Sequence, residues 1–228
     1  MLALVYVADG NRAEKTMASV TRKTQSRRQD RRVEWTQRFL AATEQLMREG
    51  HAYTDLSVDK LAGAAGTSRA TFYVHFEDKG DLLRGLATHV LADIEFAARS
   101  WWQSEQLHDA DALLAATTAI VAVYRDHQFL ISAVIEAAAY DERVSDDYTT
   151  MINSISDATR QVIDRGQSAG TIRALPAETV AGALTWMVER VCHQMVRVTP
   201  PENDSVIARS LAEIIWSALY LESLFDDQ

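Results

Sequence analysis

The residues best placed to do chemistry lie between Ser57 and Lys79. Arg69, Ala70, Thr71, Tyr73 and His75 fall in one short segment, interleaved with Phe72 and Phe76 four residues apart. Arginine can fork onto a guanine, and a threonine can meet a thymine methyl or a phosphate. Tyrosine and histidine can hydrogen-bond phosphates or base edges. Phe72 and Phe76 share a helical face and would anchor the segment inward. One edge then locks into a domain while the other is offered to duplex DNA. Catalytic patterns are missing: the sequence holds no Gly-rich phosphate loop, no His-Glu-x-x-His and no Gly-x-Ser-x-Gly. Its six histidines are scattered. Cys192 and His193 are neighbours in a helical stretch, so their side chains diverge by about 100° and make no nucleophile–base pair. Cys192 is the lone cysteine, which excludes an internal disulfide and a cysteine-rich metal site; it reads as a core or interface thiol. No catalytic residue, metal or cofactor is expected.

Such an edge must be held by the elements around it. Ser57 is a suitable N-cap, and Val58, Leu61, Ala62 and Ala65 follow at i, i+3, i+4, i+7 spacing. Ala65-Gly66-Thr67 makes a tight turn, with glycine free to adopt positive φ, and Ser68 caps a second short helix. Upstream, residues 31–49 read as a helix with Phe39, Leu40, Thr43, Leu46 and Met47 on one face, stopped by Gly50. Downstream, Asp78 caps a long helix whose stripe runs Leu83, Leu86, Ala87, Val90, Ile94, Ala97, Trp101. Further helices are predicted over about 109–125, 128–140, 143–168, 176–198 and 204–224. Pro176 suits the first turn of its helix, and Thr199-Pro200-Pro201 breaks the chain before the last. No segment alternates as a strand does. The predicted fold is all-α, with about nine helices. It divides into a polar arm over 1–30, a three-helix helix-turn-helix region over 31–77 and a helical body over 78–228.

The charge is uneven. The net charge is −9, yet residues 1–84 carry 14 Lys and Arg against 11 Asp and Glu, while residues 85–228 carry 9 against 21. Phosphates respond to the local field, screened beyond about 8–10 Å at ordinary salt, so a basic end on an acidic body is compatible with DNA. The run Arg22, Lys23, Arg27, Arg28, Arg31, Arg32 fits two readings equally: a solvated tail, or an arm that follows phosphates or enters a minor groove. No apolar run approaches the roughly 18 residues of a membrane span. The opening Met1–Val7 is too short for a signal peptide, and Met17 would serve equally well as a start. A cytoplasmic protein is expected.

The stretch Gly66-Thr-Ser-Arg-Ala-Thr-Phe-Tyr-Val-His-Phe-Glu-Asp-Lys-Gly-Asp-Leu-Leu83 resembles the signature of the TetR family of repressors at every position of that pattern. Within that family, Ala183-Leu-Thr-Trp-Met-Val-Glu-Arg190 and Ile214-Ile-Trp216 are similar to the mycobacterial ethionamide-regulator type. The resemblance implies an all-helical, two-fold dimer that binds a double-stranded DNA operator and is released from it by a small apolar molecule. It implies that Ser57, Thr67 and Ser68 meet phosphates near helix N-termini. Arg69, Ala70 and Thr71 would then face the major groove, and Tyr73 and His75 would contact phosphates or bases. Lys79 would meet a phosphate. For His75 a capping role, and for Lys79 simple solvation, stay open. It further implies a pocket among the fourth, fifth, seventh and eighth helices, on or beside which lie Trp101, Ile120, Tyr124, Phe129, Tyr148, Met151, Ile155, Trp186 and Glu189. Any one of these aromatics is also a reasonable core residue. Glu189 could orient a ligand donor, pair with Arg190 or face solvent. Thr185 and Val188 stand where that type often has amide side chains, so ligand chemistry does not carry over. The last two helices would form the dimer surface.

Overall fold

The computed structural model describes residues 33–106 and 108–220. The basic arm, both candidate starts and the last few residues of the predicted final helix lie outside them. Nine α-helices and no strand occur among the described residues. They are α1 (33–48), α2 (Val58–Ala64), α3 (Arg69–His75), α4 (Lys79–Trp102), α5 (Ala110–Asp126), α6 (Gln128–Ala138), α7 (Glu142–Ser168), α8 (Ala177–Val191) and α9 (Asp204–Tyr220).

Helix boundaries follow local chemistry. The side chains of Ser57, Ser68, Asp78, Asp109 and Asp141 each accept a hydrogen bond from a backbone N–H in the first turn they precede. Gly50 (φ 96°) ends α1 and Gly66 (φ 67°) follows α2. At both, the next N–H reaches back five residues: His51 to the Leu46 carbonyl at 3.2 Å, and Thr67 to that of Ala62 at 2.9 Å. This is the left-handed C-terminal motif that glycine adopts without strain. Pro176 sits at the N-cap of α8, one place before the predicted first turn. The α8 stretch, predicted as uninterrupted to 198, instead widens into a π-helical turn over Cys192–Val196. That turn keeps both Cys192 and Val196 buried.

The α1 stripe, Phe39 to Met47, is buried as its spacing demands. One apolar cluster runs from Phe39 and Phe72 through Leu83 and Leu86 of α4 to Leu130 and Val134 of α6 and on to Leu211 of α9. The helix-turn-helix region and the body therefore share a core across the expected boundary at 77/78. A second cluster joins Trp101, Leu113, Ile163, Leu184 and Leu219. In the body, α5 packs against α4 and α9, while α7 packs against α6 and α8. No described helix is long and apolar enough to cross a membrane.

Candidate functional site

The outward edge of α3 stands on a fully packed inner edge. Phe72 and Phe76 are buried, and Phe39 of α1 meets both edge-on at 5.5 and 5.3 Å between ring centroids. Ser68, Arg69, Ala70 and Tyr73 are exposed, and Thr67, Thr71 and His75 are half-buried. Thr71 Oγ1 lies 3.0 Å from Ser68 Oγ. Arg69 donates to Asp59 of α2 at 2.6 Å and lies 3.4 Å from the Tyr73 hydroxyl. An exposed pair of this sort is weak enough for a base or phosphate to displace. The His75 ring lies over Trp35 at 5.2 Å, tilted by 31°. Lys79 departs from expectation. Its ammonium donates to the carbonyls of Thr54 and Leu56 at 2.9 and 2.8 Å, so it locks the turn before α2 onto the start of α4 and is not an outward, solvated cation. The buried Tyr53 hydroxyl completes the lock by donating to the Lys79 carbonyl at 2.6 Å.

The body contains a cleft of about 530 Å³ walled by α4, α6 and α7, including Ala87, Leu91, Ile131, Val134, Tyr148 and Met151. It adjoins a narrow slot of about 60 Å³. Ile94, Tyr124 and Met151 belong to both. Of the sequence candidates, Tyr148 lines the cleft, and Trp101, Ile120, Ile155 and Glu189 line the slot. Phe129 and Trp186 line neither, although the Trp186 ring lies 6.2 Å from that of Tyr148 on the cleft wall. Phe129, near the start of α6, packs against the larger core. On α8 the buried positions are Ala181, Leu184, Thr185 and Glu189, whereas Trp186 is 45% exposed.

Glu189 is 3% exposed, and neither carboxylate oxygen has a hydrogen-bond partner. It does not face solvent. Arg190 Nε stands 3.7 Å away on a side chain that is 56% exposed. The Tyr148 hydroxyl and Thr185 Oγ1 are likewise buried and unpartnered. Burial, and then the Glu189 charge, raise the Tyr148 phenol above its ordinary range and push the Cys192 thiol up to about 12.

Two family models match this chain. One, described as bacterial regulatory proteins of the tetR family, covers residues 39–86; the other, the C-terminal domain of the transcriptional regulator EthR, covers residues 113–221. The chain is similar to TetR-family regulators in both its helix-turn-helix and its body. It is a DNA-binding transcriptional regulator, and the matched families are regulators, not enzymes. The HTH-type transcriptional regulator EthR of Mycobacterium tuberculosis is 29% identical over 188 residues, spanning 81% of this chain and 87% of the relative. Among solved structures, a TetR transcription regulator from Haloarcula marismortui aligns with TM-score 0.65 and 20% identity over 83% of this chain and 100% of the other. The regulator FadR of Bacillus subtilis, solved with stearoyl-CoA, aligns with TM-score 0.67 and 15% identity over 81% and 99%. At these identities the solved structures speak to the fold.

The chain also contains contacts that spacing alone did not suggest. Arg38 of α1 donates to the Ala65 carbonyl at 2.9 Å and lies 4.4 Å above the Trp35 ring, bracing the turn between α2 and α3. A Cβ at Gly66 would stand 3.3 Å from this guanidinium. At the α5–α6 corner, His127 Nδ1 pairs with Glu44 of α1 at 2.5 Å, and its Nε2 stands 3.9 Å from Asp93 of α4. The Glu44 hydrogen bond, with smaller contributions from the charges of Asp93 and Asp126, raises the His127 pKa against its partial burial. A raised histidine pKa stabilises fully below the unfolded value near 6.5, and that contribution is lost as pH rises through the folded value. Thermal stability is therefore expected to fall from pH 6 to pH 9 by about 1–3 kcal/mol more in the parent than in His127→Gln, the range of a charged hydrogen bond. Parallel melting curves for the two across that window would remove the pair from the account.

Proposed function

We propose that this chain is a TetR-family repressor that a small apolar ligand releases from its operator. The observation that supports the reading most is the double use of α4. Its first residue is locked to the turn before α2, and its middle, from Ala87 to Ile94, walls the cleft. A ligand that needs more room between α4, α6 and α7 acts on the helix that positions α3. It shifts the equilibrium only by its preference for the non-binding state; a hundredfold loss of DNA affinity needs about 2.7 kcal/mol.

In this reading the arm over 1–30 and residues 31–77 meet DNA, and residues 78–228 hold ligand and partner. Arg69, Ala70, Thr71 and Tyr73 face the major groove, and Ser57, Thr67, Ser68 and His75 border it beside the phosphates. Val74, 76% exposed on α3, joins them as an apolar contact. The dimer forms through α8, the π-helical turn after it and α9, where Trp186, Met195, Val206 and Ile214 are exposed, while Ile207, Leu211, Ile215 and Leu219 of α9 are spent on the chain's own core. A two-fold pair places two α3 helices to enter successive major grooves about 34–36 Å apart, or a multiple of it. Such a regulator works in the cytoplasm, where the chromosome lies.

The test is a gel shift on the DNA upstream of the protein's own gene, with 1-decanol as a plain apolar probe. Binding is expected to be dimeric and steeply salt-dependent, and decanol is expected to raise the melting temperature while lowering DNA affinity by about tenfold. A decanol-stabilised protein that holds its operator as tightly as before would end the release mechanism.

A further inference from the structure

The slot beside the cleft holds a carboxylate, with the Tyr148 hydroxyl as its nearest polar neighbour from the cleft wall. Glu189 is 3% exposed on the slot wall, and both its oxygens are without hydrogen bonds. Arg190 is its charge neighbour, but at 3.7 Å and 56% exposed it leaves most of its own charge in water. Two more orphan polar atoms accompany it: the Tyr148 hydroxyl on the cleft side and Thr185 Oγ1 on the slot side. A buried ion without a partner does nothing for the fold that an apolar residue of its size would not do better. Three polar groups with four unsatisfied atoms on the walls of apolar cavities call for an occupant that satisfies them.

The sign of that occupant follows from what these atoms can accept. The carboxylate of Glu189 offers two acceptor oxygens, and both hydroxyls can accept as well as donate. The rim adds no free positive charge. Arg84 is already bound to Asp147 at 2.5 Å, and Glu95, whose contact there is Ser154 Oγ at 3.5 Å, is a further negative group on the cleft wall. An anionic head group entering here would meet Glu95 and then Glu189, and the nearest guanidinium, Arg190, is already paired with Glu189 and largely in water.

We propose that the effector of this regulator is an apolar molecule carrying a protonated amine, and that Glu189, Tyr148 and Thr185 receive its ammonium where cleft and slot join. This rests on the cleft being the effector site. An ammonium brings three donors to three acceptors, and its alkyl or aryl body takes the apolar walls.

The experiment uses the full chain with three probes of one length: n-decylamine, 1-decanol and decanoate, followed by calorimetry at neutral pH. Decylamine is expected to bind at least about tenfold tighter than decanol, a difference of about 1.4 kcal/mol, with decanoate weakest. Glu189→Gln keeps the volume and removes the charge. It should bring decylamine to within about twofold of decanol, with the circular-dichroism spectrum unchanged. Equal binding of decylamine and decanol by the parent overturns the amine while leaving the cleft reading in place. So does tighter binding of decanoate. An amine preference that survives Glu189→Gln overturns it too, since it would belong to the acidic surface at large. If none of the three probes binds, the cleft reading falls and the amine with it.

Discussion

Replacing Thr71 and Tyr73 together by alanine is expected to weaken operator binding by roughly 100- to 1,000-fold, at about 1–3 kcal/mol per lost contact, with the helical circular-dichroism signal intact. The argument is positional. Tyr73 is 47% exposed, and its ring rests edge-on against Phe72 at 5.3 Å, so it projects from a packed base and is not part of it. The Arg69 guanidinium lies 5.5 Å from the Tyr73 ring centroid, so removing the ring also frees the arginine from its guide. Thr71 caps nothing that alanine would leave unsatisfied, because its backbone N–H is already held by Ser68 Oγ at 3.1 Å. Alanine is also the better helix former at that place. The folded structure should therefore hardly notice the change, and the loss belongs to the interface. Full operator affinity in the double variant would mean that α3 does not read DNA through this edge.

Phe39→Ala is expected to cost about 3–5 kcal/mol, a large part of the 5–15 kcal/mol that holds a typical domain folded. Phe39 is 0% exposed and sits at near right angles to both Phe72 and Phe76, with Trp35 6.2 Å away. No small side chain nearby can swing in to fill the space, since the neighbours are themselves anchored aromatics. Because one cluster continues from Phe39 into α4 and α6, the loss should lower a single cooperative melting transition and not a separate one for the first three helices. Urea unfolding followed by tryptophan fluorescence would measure it. A change below about 1 kcal/mol would mean the cavity collapses at little cost.

The elements that could be read from the sequence were those whose cause is local. Ser57, Ser68 and Asp78 each bond a backbone N–H within three residues, and Gly66 closes its turn within five, so type and spacing contain the whole interaction. The outward edge of α3 was legible for the same reason: Phe72 and Phe76 face one way and Tyr73 another. Trp186 and Phe129 could not be placed from spacing, because an aromatic on a helix with several apolar neighbours can face the core, a cavity or a partner alike. Lys79 is bound by residues 23 and 25 places away, and His127 by one 83 places away. Pairings of that kind leave no trace in spacing. Glu189 could be seen as an acid in an apolar helix, but its lack of donors is a property of everything packed around it.

The length of α4 sets a mechanical ratio. Its 24 residues span about 36 Å at 1.5 Å each, and Ile94, which borders both cavities, stands about 12 Å from the Trp102 end. With that end as fulcrum, a sideways displacement of about 1 Å at Ile94 becomes about 3 Å at Lys79, where the Tyr53–Lys79 lock carries the turn before α2 along. A hydrogen bond tolerates only a few tenths of an ångström. Under the release mechanism proposed above, the helix acts as a lever with a gearing of about three to one, which would turn the girth of one guest molecule into a misfit at the far end.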